Sequence, residues 1–348
     1  MLDWVHDPVK PIATAAYQHA LDRQLRLTKP PGSLGQLEEI AARLCGMQNS
    51  DKPRMARVQI SIFAADHGVA EEGVSAFPQV VTTEMVRNFA AGGAAISVLA
   101  KHLGAELEVV DVGVRYDTST IKGVIRARVA EGTANFMYGP AMTQEQLAAA
   151  LQAGRDAVAR AQDCGAQLFI AGDMGIANTT SATAITCALL GKSAREIVGP
   201  GTGLDRAGIS HKAAVIQCSL DLHSADIKSP LDVLQRLGGF EIAAMTGAYI
   251  AAAQQGLPVL IDGFISSAAA LLASYINNAA STWWFYGHTS AEPGHVYILH
   301  ELNARPLLNL GMRLGEGSGA AMAIPLLRQA CILHTKMATF DQAGVSTS

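Results

Sequence analysis

Val58-Gln59-Ile60-Ser61-Ile62-Phe63-Ala64-Ala65, running into Asp66-His67-Gly68-Val69, is the stretch that decides the fold. The first eight residues are mostly apolar, which fits a short strand buried on both faces. Polar residues and a glycine gather where it ends. In open parallel sheets that is the end at which ligands bind.

The same pattern recurs outward from this point. Leu107 to Val112 leads into Asp111-Val112-Gly113-Val114. Gln167 to Ala171 leads into Gly172-Asp173-Met174-Gly175-Ile176-Ala177-Asn178-Thr179-Thr180. Val124 to Val129, Pro258 to Ile261 and Trp283 to Tyr286 read as further strands, the last running into Gly287-His288-Thr289-Ser290-Ala291-Glu292. Helical spacing covers Pro11 to Leu27, a segment to about Gln48 with Ser33 as its expected cap, Thr82 to Phe89 and Gly93 to Leu103. Thr143 opens a helix to about Gln162, with Gln146 three residues on as a capping box. Further helices are expected up to Leu190, from near Gly208, over Gly239 to Gln255 and over Phe264 to Asn277. Strands alternating with longer helices predict an α/β fold with a mostly parallel sheet. Residues 1–50 and 305–348 lack strand signals and are expected to form a small helical domain beside an α/β domain of residues 51–304.

Composition bounds the function. The 348 residues are 49% hydrophobic and 16% charged, with 33 glycines, which implies a large core and many tight turns. The net charge of −4, with no basic block, argues against nucleic-acid binding. Five scattered cysteines without a CxxC read as reduced core thiols, and Met1 to Lys10 has no apolar leader, so a cytoplasmic protein is expected. Gly263 to Ala291 lacks Asp, Glu, Lys and Arg, but Asn277, Asn278 and His288 interrupt it. A buried helix followed by a buried strand fits it better than a membrane span.

Two glycine-rich loops, Asp173 to Thr180 and Gly199 to Gly203, are candidates for cradling a phosphate through backbone N–H groups at Gly175 and Ile176 and in the second loop. Lys212 supplies a matching cation. Neither loop alone is specific, and GxxxxGK[ST] is absent. Asp66-His67, His288 and His295 raise a metal site or a proton relay, but no HExxH or similar spacing accompanies them, and no metal or cofactor is expected. Near the C-terminus, Arg313-Leu314-Gly315-Glu316-Gly317-Ser318-Gly319-Ala320-Ala321 sets one carboxylate among glycines before an apolar helical run. Glu316 there reads either as an acidic helix-start residue or as a base beside a ligand. A dinucleotide loop is the competing reading, weakened because no strand precedes it and no βαβ unit can follow.

Taken together, Lys29-Pro30-Pro31-Gly32-Ser33-Leu34-Gly35, Ala65-Asp66-His67-Gly68-Val69, Gly172 to Thr180, Gly238-Gly239-Phe240-Glu241, Val259-Leu260-Ile261-Asp262-Gly263-Phe264 and Arg313 to Gly319 stand in one order. In this the chain, from about Pro30 to Phe340, resembles the nicotinate-nucleotide–dimethylbenzimidazole phosphoribosyltransferase family. The resemblance implies a Rossmann-like domain with a small helical domain from both chain ends, and a homodimer. It implies transfer of the phosphoribosyl group of nicotinate mononucleotide to 5,6-dimethylbenzimidazole or a related base, giving α-ribazole 5′-phosphate and nicotinate for cobalamin. Carried over residue by residue, it makes Glu316 the base and puts Asp173, Gly175 and Lys212 in the nucleotide site, with Gly201 and Ser290 nearby. Phe77, Met85 and Leu314 then line the base pocket. Some family members have glutamate at the position of Asp173 and polar residues at those of Phe77 and Met85, which leaves the preferred base open. A nucleotide sensor without turnover and a nicotinamide-dependent oxidoreductase are the alternatives.

Overall fold

The computed structural model describes residues 2–346. Six strands, β1 (Val58–Ala65), β2 (Glu106–Gly113), β3 (Val124–Arg126), β4 (Leu168–Met174), β5 (Val259–Ile261) and β6 (Trp284–Tyr286), form one sheet in the order β3-β2-β1-β4-β5-β6. Every pairing is parallel, so the sheet is parallel throughout. All eight residues of β1 are buried, as its mostly apolar run requires.

The flanking helices are α1 (Thr14–Arg26), α2 (Gln36–Gln48), α3 (Val80–Ala91), α4 (Ala95–Leu103), α5 (Gln144–Asp163), α6 (Asn178–Leu190), α7 (Ala194–Ile197), α8 (Arg206–His223), α9 (Pro230–Leu237), α10 (Phe240–Gln255), α11 (Phe264–Ile276), α12 (His295–Glu301), α13 (Ser318–Lys336) and α14 (Phe340–Ala343). The most central is α10, buried from Phe240 to Ala253 and packed on α5, α11 and the sheet. Its many alanines bring neighbouring helices close. The uncharged stretch from Gly263 resolves into buried α11 and buried β6. No helix among the described residues is long and apolar enough to cross a membrane.

The two chain ends meet. Helix α2 packs on α1 and α13, Arg23 Nε donates to the His334 carbonyl at 2.8 Å, and Thr28 N donates to the Ala338 carbonyl at 3.1 Å. Ile40, Leu44, Ala321 and Leu327 from these helices belong to the same core as the strands. The apolar contact between the end helices and the sheet is therefore continuous.

Local chemistry departs from the sequence reading in four places. Ser33 does not cap α2. Gly35 holds the N-cap position, and Glu38 reaches back to accept from Leu34 N at 2.9 Å and Gly32 N at 3.3 Å. Strand β4 runs on to Met174, because Asp173 keeps its place in the ladder opposite Phe63. Strand β3 is shorter than expected and stops at Arg126. Helices α7, α9, α12 and α14 went unread. Of these, α9 begins with Ser229 as N-cap and Pro230 in its first turn, a recognisable start signal.

Candidate active site

Strand order changes direction between β1 and β4, and ligands in such sheets bind beyond the strand ends near that point. Here the protein itself fills the gap between the two strands. Asp66 and His67 at the end of β1 are fully buried, and so is Thr82 of α3. Asp66 accepts from Thr82 Oγ1 at 2.7 Å and from Arg115 N at 2.8 Å. His67 lies 2.7 Å from Glu241 Oε1 and 2.9 Å from Ser181 Oγ through its two ring nitrogens. These contacts engage both side chains in tying β1 to its neighbours.

A cavity of about 440 Å³ opens instead above the ends of β4, β5 and β6. It gathers Glu316, Asp173, Gly175, Gly201, Ser290, Phe77, Met85 and Leu314, which lie far apart in sequence. Lys212 stands just behind it, with Nζ donating to Thr179 Oγ1 in the cavity wall at 2.7 Å. Among the charged lining residues, Asp262, Glu292 and Arg313 had no role assigned from sequence, and His288 was raised only as a metal or relay candidate. Their positions were visible at strand ends and beside Glu316, but their partners were not. A larger depression of about 680 Å³ lies at the opposite strand ends, near Arg54, Gln167 and Pro258. The chemistry of parallel sheets favours the first.

The Glu316 turn is strained. Gly315, Glu316 and Gly317 all have positive φ, and for Glu316 the value is 63°, a conformation costing about 1–3 kcal/mol in a residue with a side chain. The turn is pressed onto the end of β4. A Cβ on Gly172 would sit 2.4 Å from the Glu316 carbonyl oxygen, and one on Gly319 would sit 2.0 Å from His288 Cδ2. Gly319 thus serves close approach to the protein's own His288 and not to a ligand. Helix α13 starts two residues after Glu316, where its dipole favours ionised carboxylates. Burial nevertheless dominates and pushes the Glu316 carboxyl above its ordinary range, against a backbone hydrogen bond from Ile96. Asp173, fully buried, is pushed well up by burial and by Asp262 and Glu241, and it accepts from Asn178 Nδ2 at 3.0 Å.

At the other side of the cavity the charge reverses. Burial lowers the Lys212 ammonium to about 8, opposed by Glu292. Arg313 Nη1 donates to the Gly201 carbonyl at 3.0 Å. The loop N–H groups expected to hold phosphate are partly engaged elsewhere. Ile176 N donates to Thr82 Oγ1 at 3.2 Å, and Gly201 N donates to Glu292 Oε1 at 3.1 Å. Lys212 and Arg313 are the cations on this side. Ser290 is held from behind: its N–H donates to His295 Nδ1 at 2.8 Å, and the other ring nitrogen faces Ser267 Oγ at 2.9 Å. Burial lowers His295 to about 3, so it stays neutral. Among the described residues no group of three His, Cys, Asp or Glu side chains is arranged to hold a metal ion.

Thr82 links the two walls, since its hydroxyl donates to Asp66 and accepts from Ile176 while α3 carries Met85. Thr82→Val keeps the shape and strands both partners, and is expected to destabilise the chain by about 1–3 kcal/mol. Urea unfolding checks this, with Thr82→Ser tracking the parent. Parent-like stability in Thr82→Val would show that the two hydrogen bonds contribute little.

A family model described as phosphoribosyltransferase matches residues 9–345. The chain is 54% identical over 345 residues to the nicotinate-nucleotide–dimethylbenzimidazole phosphoribosyltransferase of Pseudomonas aeruginosa (strain LESB58), covering 99% of this chain and 98% of that one. It belongs to this phosphoribosyltransferase family. With the enzyme of the same name from Pseudomonas putida (strain W619) it shares 57% identity over 343 residues, covering 99% of this chain and 98% of the relative. The crystal structure of CobT from Thermus thermophilus superposes with a TM-score of 0.92 at 45% identity, over 96% of this chain and 100% of that one. A family phosphoribosyltransferase of this kind transfers a ribosyl phosphate, and the cavity's two electrostatic sides bear on how.

Proposed function

We propose that this phosphoribosyltransferase moves the phosphoribosyl group of nicotinate mononucleotide onto a ring nitrogen of 5,6-dimethylbenzimidazole or a related base. The observation that carries the reading is the polarity of the cavity. Asp173, Asp262 and Glu316 gather on one side, while Lys212 and Arg313 stand by the Gly201 loop. Nicotinate mononucleotide has the matching polarity, an anionic phosphate and a cationic pyridinium ribosyl centre. Phe77 and Leu314, each more than half exposed at the cavity wall, with Met85 between the same walls, offer an apolar surface to a flat aromatic base.

In this reading Glu316 takes the benzimidazole N–H proton as the other ring nitrogen attacks C1′. Attack opposite the departing pyridine inverts β to α. Departure neutralises the pyridinium charge, and the electron pair of the broken C–N bond stays with nicotinate. Asp173 faces the ribose, Lys212 pairs with the phosphate, and Gly175, Gly201 and Ser290 shape the nucleotide side. Residues 1–50 and 305–348 act as a small helical unit that carries the Glu316 loop to the α/β unit of residues 51–304, and two such chains associate as a homodimer.

Purified protein mixed with nicotinate mononucleotide and dimethylbenzimidazole is expected to yield α-ribazole 5′-phosphate and nicotinate, identified by mass spectrometry. Binding of the nucleotide without product at any pH from about 7 to 9 would overturn the reading in favour of a sensor.

A further inference from the structure

Glu316 lies one residue before the N-cap of α13, near enough to the positive end of the helix for a carboxylate to turn onto the free N–H groups and lose basicity. It does not do so here. The N-cap is Gly317, which has no side chain to offer. The third helical N–H, that of Ala320, donates to Asp262 Oδ1 at 2.7 Å. Asp262 reaches this position from the end of β5 and is 1% exposed. Glu316 Oε2 meanwhile is buried without a hydrogen-bond partner.

We propose that Asp262 is a positioning residue for Glu316. By capping α13 from β5, it occupies the helix's anion site, holds the strained Gly315-Glu316-Gly317 turn at the end of β4, and keeps a negative charge beside Glu316. Glu316 Oε2 is thereby left free to accept a proton. The inference rests on the reading of Glu316 as base.

The groups that face this pair come from several elements. Asp173 stands at the end of β4, Glu241 at the start of α10, and Arg313 on the same loop as Glu316. His288, after β6, places Nε2 3.6 Å from Asp262 Oδ1, and the Ile96 backbone of α4 faces Glu316. Burial raises Asp262, while His288 and the N–H groups of Ala320, Gly263 and Gly317 favour its ionised form. A neighbouring negative charge raises the affinity of Glu316 for a proton. Removing that charge while keeping the cap makes Glu316 a weaker base that stays ionised to lower pH.

Asp262→Asn does this, because its side-chain oxygen still accepts from Ala320. The experiment records kcat against pH for the parent, Asp262→Asn and Glu316→Gln. In Asp262→Asn the acidic limb is expected to move to lower pH, so that activity below the parent's midpoint, relative to each plateau, rises about 2- to 10-fold. The plateau itself falls modestly, and KM for nicotinate mononucleotide stays within about twofold. Asp262→Ser, which removes the charge and is one atom too short for the cap, repeats the measurement should the Asn variant fold poorly, and its acidic limb is expected to move the same way. An acidic limb that stays at the parent's position, with or without a uniform loss of rate, would overturn the inference. If Glu316→Gln itself keeps the limb, it is the reading of Glu316 that fails. If Glu316→Gln loses the limb while Asp262→Asn leaves it in place, the positioning role alone fails.

Discussion

Glu316→Gln is expected to slow phosphoribosyl transfer by about 10²–10⁴-fold, with KM for nicotinate mononucleotide little changed. The amide is nearly isosteric and bears the same cost at the positive φ of 63°, so the turn keeps its geometry. What it loses is the capacity to take a proton. The parent's activity should fall on acidification, with a midpoint above the ordinary glutamate range, because burial raises the Glu316 carboxyl. The variant should show no such limb. Stability moves the other way. A carboxyl raised in the folded chain binds more protons there than in the unfolded chain, so it favours folding at low pH and loses that contribution as pH rises through its folded value. Glu316→Gln removes this liability, and its melting temperature at neutral pH should equal or exceed the parent's. Steady-state rates across pH, with melting curves alongside, test both halves. Near-parent turnover would remove Glu316 from the base role, and a collapsed melting temperature would mean that the turn was lost with the charge.

The contrast between what was legible in the sequence and what was not follows the range of each interaction. Buried parallel strands are continuous apolar runs, so β1 was read to the residue from Val58 to Ala65. The capping box of Thr143 and Gln146 is local, and it stands in the structure as both reciprocal hydrogen bonds. Interactions that cross the chain were not legible. Ser33 had the right chemistry for a cap, yet Gly35 holds that position and Glu38 ties down the loop before it. Ile176 and Gly201 looked free to hold an anion until Thr82 and Glu292 came to them from 94 and 91 residues away. The glycines around Glu316 provide close approach toward Gly172, Asp173 and His288 of the same chain, which no local pattern shows. Likewise, the helix-start position of Glu316 argued for a weakened base. Only the fold brings Asp262, 58 residues before Ala320, to that helix end.

Lys212→Met is expected to raise KM for nicotinate mononucleotide by about 30- to 1,000-fold, the effect of about 2–4 kcal/mol that truncating one partner of a buried charge pair produces. The ammonium is 1% exposed and fixed on Thr179 Oγ1 at 2.7 Å, so little ordering is needed when a phosphate arrives. Loss of Lys212 is made worse by Glu292, whose negative charge would then be offset only by Arg313 and the Gly201 N–H. The turnover number at saturation should change far less, because the phosphate lies away from the reacting carbon. The pH dependence gives a second readout. Burial lowers Lys212 to about 8, so in the free enzyme the cation is lost as pH rises through that value, and kcat/KM for the nucleotide should fall on the alkaline side. In Lys212→Met that alkaline fall should vanish while the acidic limb set by Glu316 remains. Lys212→Arg should rescue only partly, since a Cβ on Gly201 would already lie 3.0 Å from Nζ and the wider guanidinium has little room. A KM within threefold of the parent in Lys212→Met, with the alkaline fall intact, would move the phosphate off Lys212 and leave Arg313 as the cation to examine next.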